Sequence, residues 1–393
     1  MQYRDDKKSG NSLSILGYGC MRLPGGLGRV DMEKSTALIK KAYEQGVNYF
    51  DTAYIYPGIE NAVGKILENL GIREKVYVAT KLPHAVCKSK NDFDKYFDEQ
   101  KRRLRTDYID YYLVHNISEF KQWANLCNLG FLDWVAEKIA SGEIRRLGFS
   151  YHGSKNDFIP LLDAFDWDFV QIQYNYININ YQAGQTGLLY AAEKGIPVMI
   201  MEPLLGGKLV SGLPKDALKI MKNANPEATP AGWGLRWLWN QPGVTVVLSG
   251  MNDMAQLDEN LMLADDSVAG MLNSSEENAI QKVIGVFNES YRIRCTGCSY
   301  CMPCPQNINI PDCFAAYNTS YAISWFTGEM NYMTAAGITG EKPRFAGDCV
   351  KCGKCEKHCP QGIEIRKELK RVKRRFEIPG TKIAIWVLTK FMS

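Results

Sequence analysis

DMEKSTALIKKAYEQGVNYFDTA, residues 31–53, decides how this chain folds. Its first sixteen residues are amphipathic, of helix length, and end on Gly46, where a left-handed glycine would close a helix. NYFDTA (48–53) then follows as a short β-rich run. The unit recurs on both sides, at ILGYGC (15–20), VYVATK (76–81), DYYLVH (110–115), RRLGFS (145–150), FVQIQYN (169–175), PVMIMEP (197–203) and VTVVLSG (244–250). Helix-length segments such as NDFDKYFDEQKRRLRTD (91–107) lie between the runs, and Gly142 and Gly195 follow two of them. Apolar strands alternating with helices indicate a parallel sheet covered on both faces. Eight such strands predict a closed (β/α)8 TIM barrel. The alternative, an open doubly wound sheet, would place a glycine-rich phosphate loop and a helix straight after its first strand. GYGCMRLPGGLG (17–28) has neither that spacing nor a helix. The opening QYRDDKKSGNSLSIL (2–16) reads as a hairpin turning at Ser9-Gly10-Asn11 and closing the barrel floor.

A hydrophobic content of 46% over 393 residues is enough for a large core and a small second domain. The net charge of +4 is small for this length and argues against a nucleic-acid partner, although basic residues gather at 366–375. The polar start MQYRDDKKSG does not resemble a secretion signal, and no apolar run reaches the roughly 20 residues of a membrane span. A soluble, cytoplasmic protein is expected.

Eight of the twelve cysteines fall between 295 and 359. One run is Cys295, Cys298, Cys301 and Cys304 before Pro305, and the other Cys349, Cys352, Cys355 and Cys359 before Pro360. Three thiolates at two-residue gaps wrap one face of an iron–sulfur cubane, and the fourth, beside proline, reaches the other cluster. That crossing joins Cys359 to Cys295, Cys298 and Cys301, and Cys304 to Cys349, Cys352 and Cys355, although the first run is one residue short in its final gap. Zinc is the alternative, but four-cysteine zinc sites use two CxxC pairs separated by a longer loop. Two [4Fe–4S] clusters in a small ferredoxin-like domain are therefore expected. His358 reads as an outer or exposed residue, and Cys313 as a small buried apolar one. The expected organisation is a barrel over 1–285, the iron–sulfur domain over 286–365, and a basic and apolar tail over 366–393. Its apolar end IAIWVL (383–388) is expected to pack on the protein, with the basic face solvated. No internal repeat is evident beyond the strand–helix unit.

Function in a barrel comes from the C-terminal ends of its strands. Asp51 ends the second strand, with Tyr56 in the following loop; Lys81 ends the third and His115 the fourth. An acid, a phenol, an amine and an imidazole on one rim outline a proton-transfer site. A phenol is a weak acid at neutral pH, and a neighbouring ammonium lowers its pKa. Asp51 would hold that ammonium charged, and His115 would orient a carbonyl or share its proton. Taken singly, each residue has an ordinary reading as a cap, loop packing, surface charge or satisfied core imidazole. His84 and His152 have no comparable setting, and His84 reads as structural. Gly206, Gly207 and Lys208, after the seventh strand, could cradle a pyrophosphate.

These stretches resemble the aldo-keto reductase superfamily: DTAYIY (51–56) with Glu60 and Gly64, Thr80-Lys81, LVH (113–115), LGFS (147–150), QIQYN (171–175) and SGMNDMAQLDEN (249–260). The resemblance covers about residues 12–270. With the cysteine-rich segment, it is similar to a branch carrying a C-terminal ferredoxin-like domain with two [4Fe–4S] clusters. The resemblance implies hydride transfer from NADP(H) or NAD(H) to a small-molecule carbonyl. It implies Tyr56 as acid, Lys81 and Asp51 tuning it, and His115 positioning substrate. It places Ser150 and Gln171 at the nicotinamide carboxamide, and Glu259 and Asn260 at the adenine. The chain departs from the pattern at Tyr151, where the family usually has Asn, and at Met201, where an aromatic commonly stacks on the nicotinamide. Gly250 and Gln256 stand where basic residues grip the 2′-phosphate. These departures leave NADPH, NADH or a flavin open.

A hydride carries two electrons and a cubane passes one, so coupling them calls for a flavin or a similar splitter. The first expectation is an oxidoreductase whose clusters relay electrons, with a ferredoxin or other electron-transfer protein as partner. The alternatives are a carbonyl reductase with purely structural clusters, and a non-enzymatic redox sensor or carrier.

Overall fold

The computed structural model describes residues 1–26, 29–295, 297, 299–338, 342–359 and 361–377. The chain opens with a hairpin, β1 (Tyr3–Asp5) and β2 (Ser12–Ser14), and enters the barrel at β3 (Leu16–Gly19). A small ladder, β4 (Gly25–Gly26) with β5 (Arg29–Val30), leads to α1 (Met32–Glu44) and β6 (Tyr49–Asp51). The alternation continues through α2 (Ile59–Leu70), β7 (Tyr77–Leu82), α3 (Lys90–Leu104) and β8 (Ile109–Ile117). α4 (Phe120–Asn128) and α5 (Phe131–Ala140) precede β9 (Ile144–Tyr151), followed by α6 (Lys155–Asp163), β10 (Phe169–Gln173), α7 (Gly184–Glu193) and β11 (Val198–Met201). α8 (Lys208–Ser211), α9 (Lys215–Ala224) and α10 (Pro230–Trp239) come before β12 (Val246–Ser249), and α11 (Met254–Asp265) and α12 (Ser274–Glu289) complete the shell. Beyond them lie α13 (Ile310–Ala322), α14 (Trp325–Ala335), α15 (Lys354–Lys357) and α16 (Ile365–Phe376).

Strands β3, β6, β7, β8, β9, β10, β11 and β12 close into one parallel barrel, each overlapping a run expected to be a strand, with β7, β8 and β9 extending beyond theirs. The first quoted unit shows why. The Asp31 carboxylate accepts from the Lys34 amide at 3.1 Å and starts α1, and Gly46, at φ +94°, stops it. Leu38, Ile39 and Ala42 bury the inner face of that helix. Along the strands, side chains alternate between the helical shell and the interior. Tyr49, Ala79, Tyr111, Phe169, Met199 and Val246 fill the interior with apolar bulk. Leu13 of the N-terminal hairpin joins that layer. The Tyr111 hydroxyl donates to Asp6 at 2.8 Å and accepts from the Asn11 amide at 3.0 Å, so the hairpin seals the end where the strands begin. Gly10 supplies its left-handed turn residue at φ +75°, as the Ser9-Gly10-Asn11 reading requires.

The cysteine-rich segment has its own apolar core, built from Ile293, Ile308, Phe314, Tyr332, Leu369 and Phe376 among others. Buried Cys313 belongs to it. The Asn318 carbonyl accepts from the Arg292 and Ile293 amides, both at 3.0 Å, and its amide donates to the Ile293 carbonyl at 2.7 Å, which ties the segment to its first helix. A boundary at 366 would cut α16, whose apolar face is part of this core. The stretch IAIWVL (383–388) lies outside the described residues. Among the described residues no helix is long and apolar enough to cross a membrane.

Candidate active site and cluster cavities

Two positions beyond the apolar layer, the inward side chains turn polar. Lys81 on β7 and Asp51 on β6 are both buried, at 1% and 5% exposure. The Lys81 ammonium donates to the two Asp51 oxygens at 2.8 and 2.7 Å and to the Thr52 carbonyl at 2.6 Å. A buried ion pair persists only when its remaining hydrogen-bonding capacity is met, and the Thr52 carbonyl helps meet it. Burial pushes the Asp51 carboxyl up, and Lys81 opposes that rise. Tyr56 leans over the pair from the loop before α2, with the ammonium 5.7 Å from its ring centre. Its ring meets His115 of β8 edge-on, 6.2 Å between centroids at 87°. The four residues of the expected proton-transfer site therefore stand together.

The phenol's acidity differs from expectation. Burial raises its pKa well above the ordinary value, and Asp51, Glu202 and Cys20 raise it further. Tyr56 therefore holds its proton firmly at neutral pH.

His84 and His152, read from sequence as lacking a comparable setting, face the same site. Burial drives the His115 imidazole well below its usual value, and Lys81, His152 and His84 act in the same direction. Burial likewise takes His84 to about 4, partly opposed by the Asn116 backbone. Burial lowers His152 too, against Glu202 and a hydrogen bond with Gln182. Three of the chain's four histidines thus share one mouth as neutral imidazoles. His84 lies three residues past Lys81 and His152 two past Ser150. Their place just beyond strand ends, the argument applied to His115, was the available signal. His358 is exposed.

On the opposite wall, Ser150 of β9 accepts from the Asn116 amide at 2.7 Å. Gln171 and Gln173 of β10 point inward, and the buried Gln171 Oε1 has no hydrogen-bond partner. Neither polar end of Gln173 has one, nor do Asn116 Oδ1 and the hydroxyls of Tyr174 and Tyr176. Each such atom costs about 1–3 kcal/mol if left unpaired; Gln171 and Gln173 face the barrel interior, whereas Tyr174 and Tyr176 pack on Trp237 of α10. Tyr151, standing where the family has Asn, turns outward instead and packs on Phe158 of α6 at 5.0 Å.

The loop after β11 carries Gly206 and Gly207 at φ +65° and +89°. Arg22, from the loop after β3, donates to the Gly206 carbonyl at 3.1 Å. Its side chain crosses the face of Gly250, where a Cβ would stand 3.3 Å from the arginine. Sequence reading placed no cation at Gly250, and the fold brings one there from elsewhere. Lys208 opens the short α8. Gln256 is held by the α11 cap, its amide donating to Asp253 at 2.6 Å. Asn260 donates to Ser249 at 2.9 Å. Glu259 accepts from the Thr229 hydroxyl at the start of α10.

The cysteines gather round two adjacent cavities. Cys304, Cys349, Cys352 and Cys355 line one of about 330 Å³, with Arg366 at its edge. Cys295, Cys301 and Cys359 line another of about 320 Å³. Ile310 borders both. Cys298 lies outside the described residues. The two runs also repeat each other in backbone. Left-handed residues recur two, four and, after the last cysteine, three positions on: Gly297 with Lys351, Ser299 with Gly353, Asn307 with Gly362. The Asn307 amide donates to the Cys304 carbonyl at 2.8 Å and the Gly362 amide to the Cys359 carbonyl at 3.1 Å. α13 and α16 each begin six residues after the final cysteine. This is an internal repeat that the sequence reading did not find, and it survives the shorter last gap of the first run. Thiolate-rich, apolar-walled spaces of this kind fit iron–sulfur clusters.

Strain collects at these places. Of the eight non-glycine residues at positive φ among those described, Asn116, Gln182, Glu202 and Leu205 stand at the barrel mouth. Ser299, Asn307 and Lys351 belong to the cysteine runs, and Arg105 caps α3. Backbone strain persists where the surroundings enforce it, as at ligand sites.

The cysteine-rich unit docks on the mouth side of the barrel. A Cβ at Gly297 would lie 3.2 Å from Asn180, in the loop after β10. Buried Tyr181 from that loop lies in the field of Asp312 and Cys313.

A closed parallel barrel with a buried lysine–carboxylate pair, a phenol and an imidazole at its C-terminal mouth defines a class of oxidoreductase. The Aldo/keto reductase family matches residues 15–282, and the chain belongs to that family. A 4Fe-4S dicluster domain matches residues 294–364. The chain is 24% identical over 308 residues to an L-glyceraldehyde 3-phosphate reductase of Escherichia coli O157:H7, covering 66% of this chain and 87% of the relative. It is 30% identical over 231 residues to a methylglyoxal reductase of Escherichia coli (strain K12), covering 56% and 74%. A solved aldo-keto reductase from Klebsiella pneumoniae in complex with NADPH shares the fold, with a TM-score of 0.57, 22% identity, and coverage of 72% and 95%.

Proposed function

We propose that this protein reduces a small carbonyl compound at the barrel mouth and holds two [4Fe–4S] clusters, which relay electrons to that site where a flavin is bound there. The observation that carries the reading is the buried Lys81–Asp51 pair under Tyr56, with His115 against the phenol. Tyr56 donates the proton to the carbonyl oxygen. Lys81, anchored by Asp51, stabilises the phenolate left behind. His115 is neutral, so one nitrogen donates and can orient that oxygen without competing for the proton.

A bound nicotinamide supplies the hydride, and bound clusters supply or accept single electrons. Ser150 and Gln171 offer the hydroxyl and the unpaired carbonyl suited to a carboxamide. Gly206, Gly207, Lys208 and Arg22 suit a pyrophosphate or 2′-phosphate, because two glycines leave backbone room and the cations add charge. We take the nicotinamide as NADPH on the strength of Arg22 beside Gly250; the solved Klebsiella pneumoniae aldo-keto reductase was found in complex with the same cofactor. Gln256, Glu259 and Asn260 form the wall toward the adenine. Cys295, Cys298, Cys301 and Cys359 hold one cluster, and Cys304, Cys349, Cys352 and Cys355 the other, a pairing supported by the two cavities.

A second reading, a flavin in the same barrel, is favoured by the mismatch between two-electron and one-electron steps. The visible spectrum of anaerobically purified protein, with iron, sulfide and flavin analysis, separates the two. About eight irons per chain with no flavin, and NADPH-dependent carbonyl reduction, is the expected result. A stoichiometric flavin, or no iron after reconstitution, would falsify the respective part.

A further inference from the structure

Positive charge is concentrated on the outer side of the cysteine-rich unit. Residues 349–377 carry ten Lys or Arg against four Glu, a net +6, while the whole chain carries only +4. α16 divides into two faces. Ile365, Leu369, Val372 and Phe376 are buried. Arg366, Lys370, Lys373 and Arg374 are exposed, and helical spacing sets them in one stripe. The stripe starts at a cavity, since Arg366 lines the space shared by Cys304, Cys349, Cys352 and Cys355. Lys351, Lys354 and Lys357 of the second cysteine run are exposed beside it.

Part of this charge is compensated within the unit. Arg366 pairs with Glu356, Lys367 with Glu364, and Arg371 with Glu368. Lys351, Lys354, Lys357, Lys370, Lys373 and Arg374 have no acidic partner among the described residues. A basic helix face alone is ordinary. This one starts at Arg366, which lines the same cavity as Val350, 59% exposed, and Cys352, an exposed cysteine. The first cysteine run approaches the barrel, where a Cβ at Gly297 would lie 3.2 Å from Asn180. The unit is thus polarised, with the first run against the barrel and the second, carrying exposed Cys352, beside the cationic rim of α16.

We propose that this rim is the docking face for a small acidic one-electron carrier protein, of ferredoxin or flavodoxin type. The carrier would meet the outer cluster at Cys352. Each encounter moves one electron. The carrier's reduced centre is oxidised and the outer cluster is reduced, with no bond made and no proton transferred. Two encounters supply the electrons of one two-electron reduction, which the flavin of the second reading above would combine in the barrel. The proposal rests on the eight cysteines holding clusters.

Complementary charge steers encounter and loses force as salt screens it. The test is anaerobic stopped-flow mixing of the cluster-loaded protein with a reduced acidic flavodoxin, whose flavin band is separable from cluster absorption. The expected second-order rate falls about tenfold or more from low to physiological ionic strength. Combining Lys370→Glu, Lys373→Glu and Arg374→Glu should slow it about tenfold at low salt. Iron content, cluster spectrum and carbonyl reduction with NADPH should stay at wild-type levels. If that variant fails to fold, lysine footprinting of the wild type decides, because a bound carrier must shield Lys370 and Lys373 from acetylation. A rate indifferent to salt and to charge reversal, or unshielded lysines, overturns the proposal. So does binding of phosphatidylserine vesicles that is lost in the variant while its flavodoxin rate is unchanged, since the rim would then belong to a membrane. Protein without iron after reconstitution sinks the cluster assignment itself, whereas intact clusters with salt-insensitive reduction sink only the docking.

Discussion

Tyr56 holds its proton because its surroundings are apolar and acidic on balance, so the proposed acid is fully loaded at neutral pH. Removing only its hydroxyl, in Tyr56→Phe, should lower the carbonyl reduction rate about 10²–10⁴-fold, the usual worth of general acid catalysis. The cluster spectrum should be unchanged. If Tyr56→Phe keeps wild-type turnover, the barrel's chemistry lies elsewhere. His84 yields a second prediction. Its folded pKa of about 4 lies below its ordinary 6.5, so the unfolded chain binds the extra proton between those values. Stability is therefore full above pH 6.5 and drains as pH falls toward 4, by up to about 3 kcal/mol from this residue. Denaturant melts across that window should show the loss, and His84→Gln should flatten it. These residues differ in how readable they were. Asp51, Lys81 and His115 sit on strands, so position along an apolar run revealed them. His84, His152 and Arg22 sit on loops, whose paths no periodicity encodes.

The elements explain the contrast. A parallel strand buried on both faces must be apolar throughout, so all eight barrel strands were legible as runs of Val, Ile, Leu and aromatics. The two cysteine runs were legible as ligand sets but not as copies, because their likeness lies in left-handed turns carried by different residues, Gly297 opposite Lys351 and Ser299 opposite Gly353. That equivalence supports a prediction on pairing. Cys359→Ser should disturb the cluster of the first run, to which it crosses, and spare the one at Cys349, Cys352 and Cys355. Electron paramagnetic resonance of the partly reduced protein can distinguish the two centres. Loss of the second run's own signal would reverse the assignment. Breaking the element contact between β6 and β7 should act differently. Lys81→Met leaves a carboxylate buried without its partner and should cost about 3–5 kcal/mol in denaturant melts at neutral pH.

At the scale of the whole molecule, the close approach of Gly297 to Asn180 is where the two units meet. Gly297→Val puts a branched side chain into that contact, at a left-handed position it tolerates poorly. Under the relay reading, in which a bound flavin would combine single electrons, photoreduced clusters in the wild type reoxidise when NADP⁺ or a carbonyl acceptor is added. The variant should slow this step while steady-state NADPH activity persists. Clusters that stay reduced in the wild type despite acceptor would leave them a structural role.

The plugged floor of the barrel has a consequence for traffic. With Leu13 and the Asp6–Tyr111–Asn11 bonds closing one end, the mouth is the open end among the described residues, and the cysteine-rich unit leans on part of its rim. In the proposed reaction, dinucleotide, carbonyl compound and alcohol product would share that doorway. Whichever lies deepest has to arrive first and leave last. The inward polar wall of Gln171 and Gln173 lies below the loop that carries Arg22's contact, so under the proposed function the dinucleotide would take that place. Turnover then becomes a queue, and its pace is set by how quickly the doorway clears.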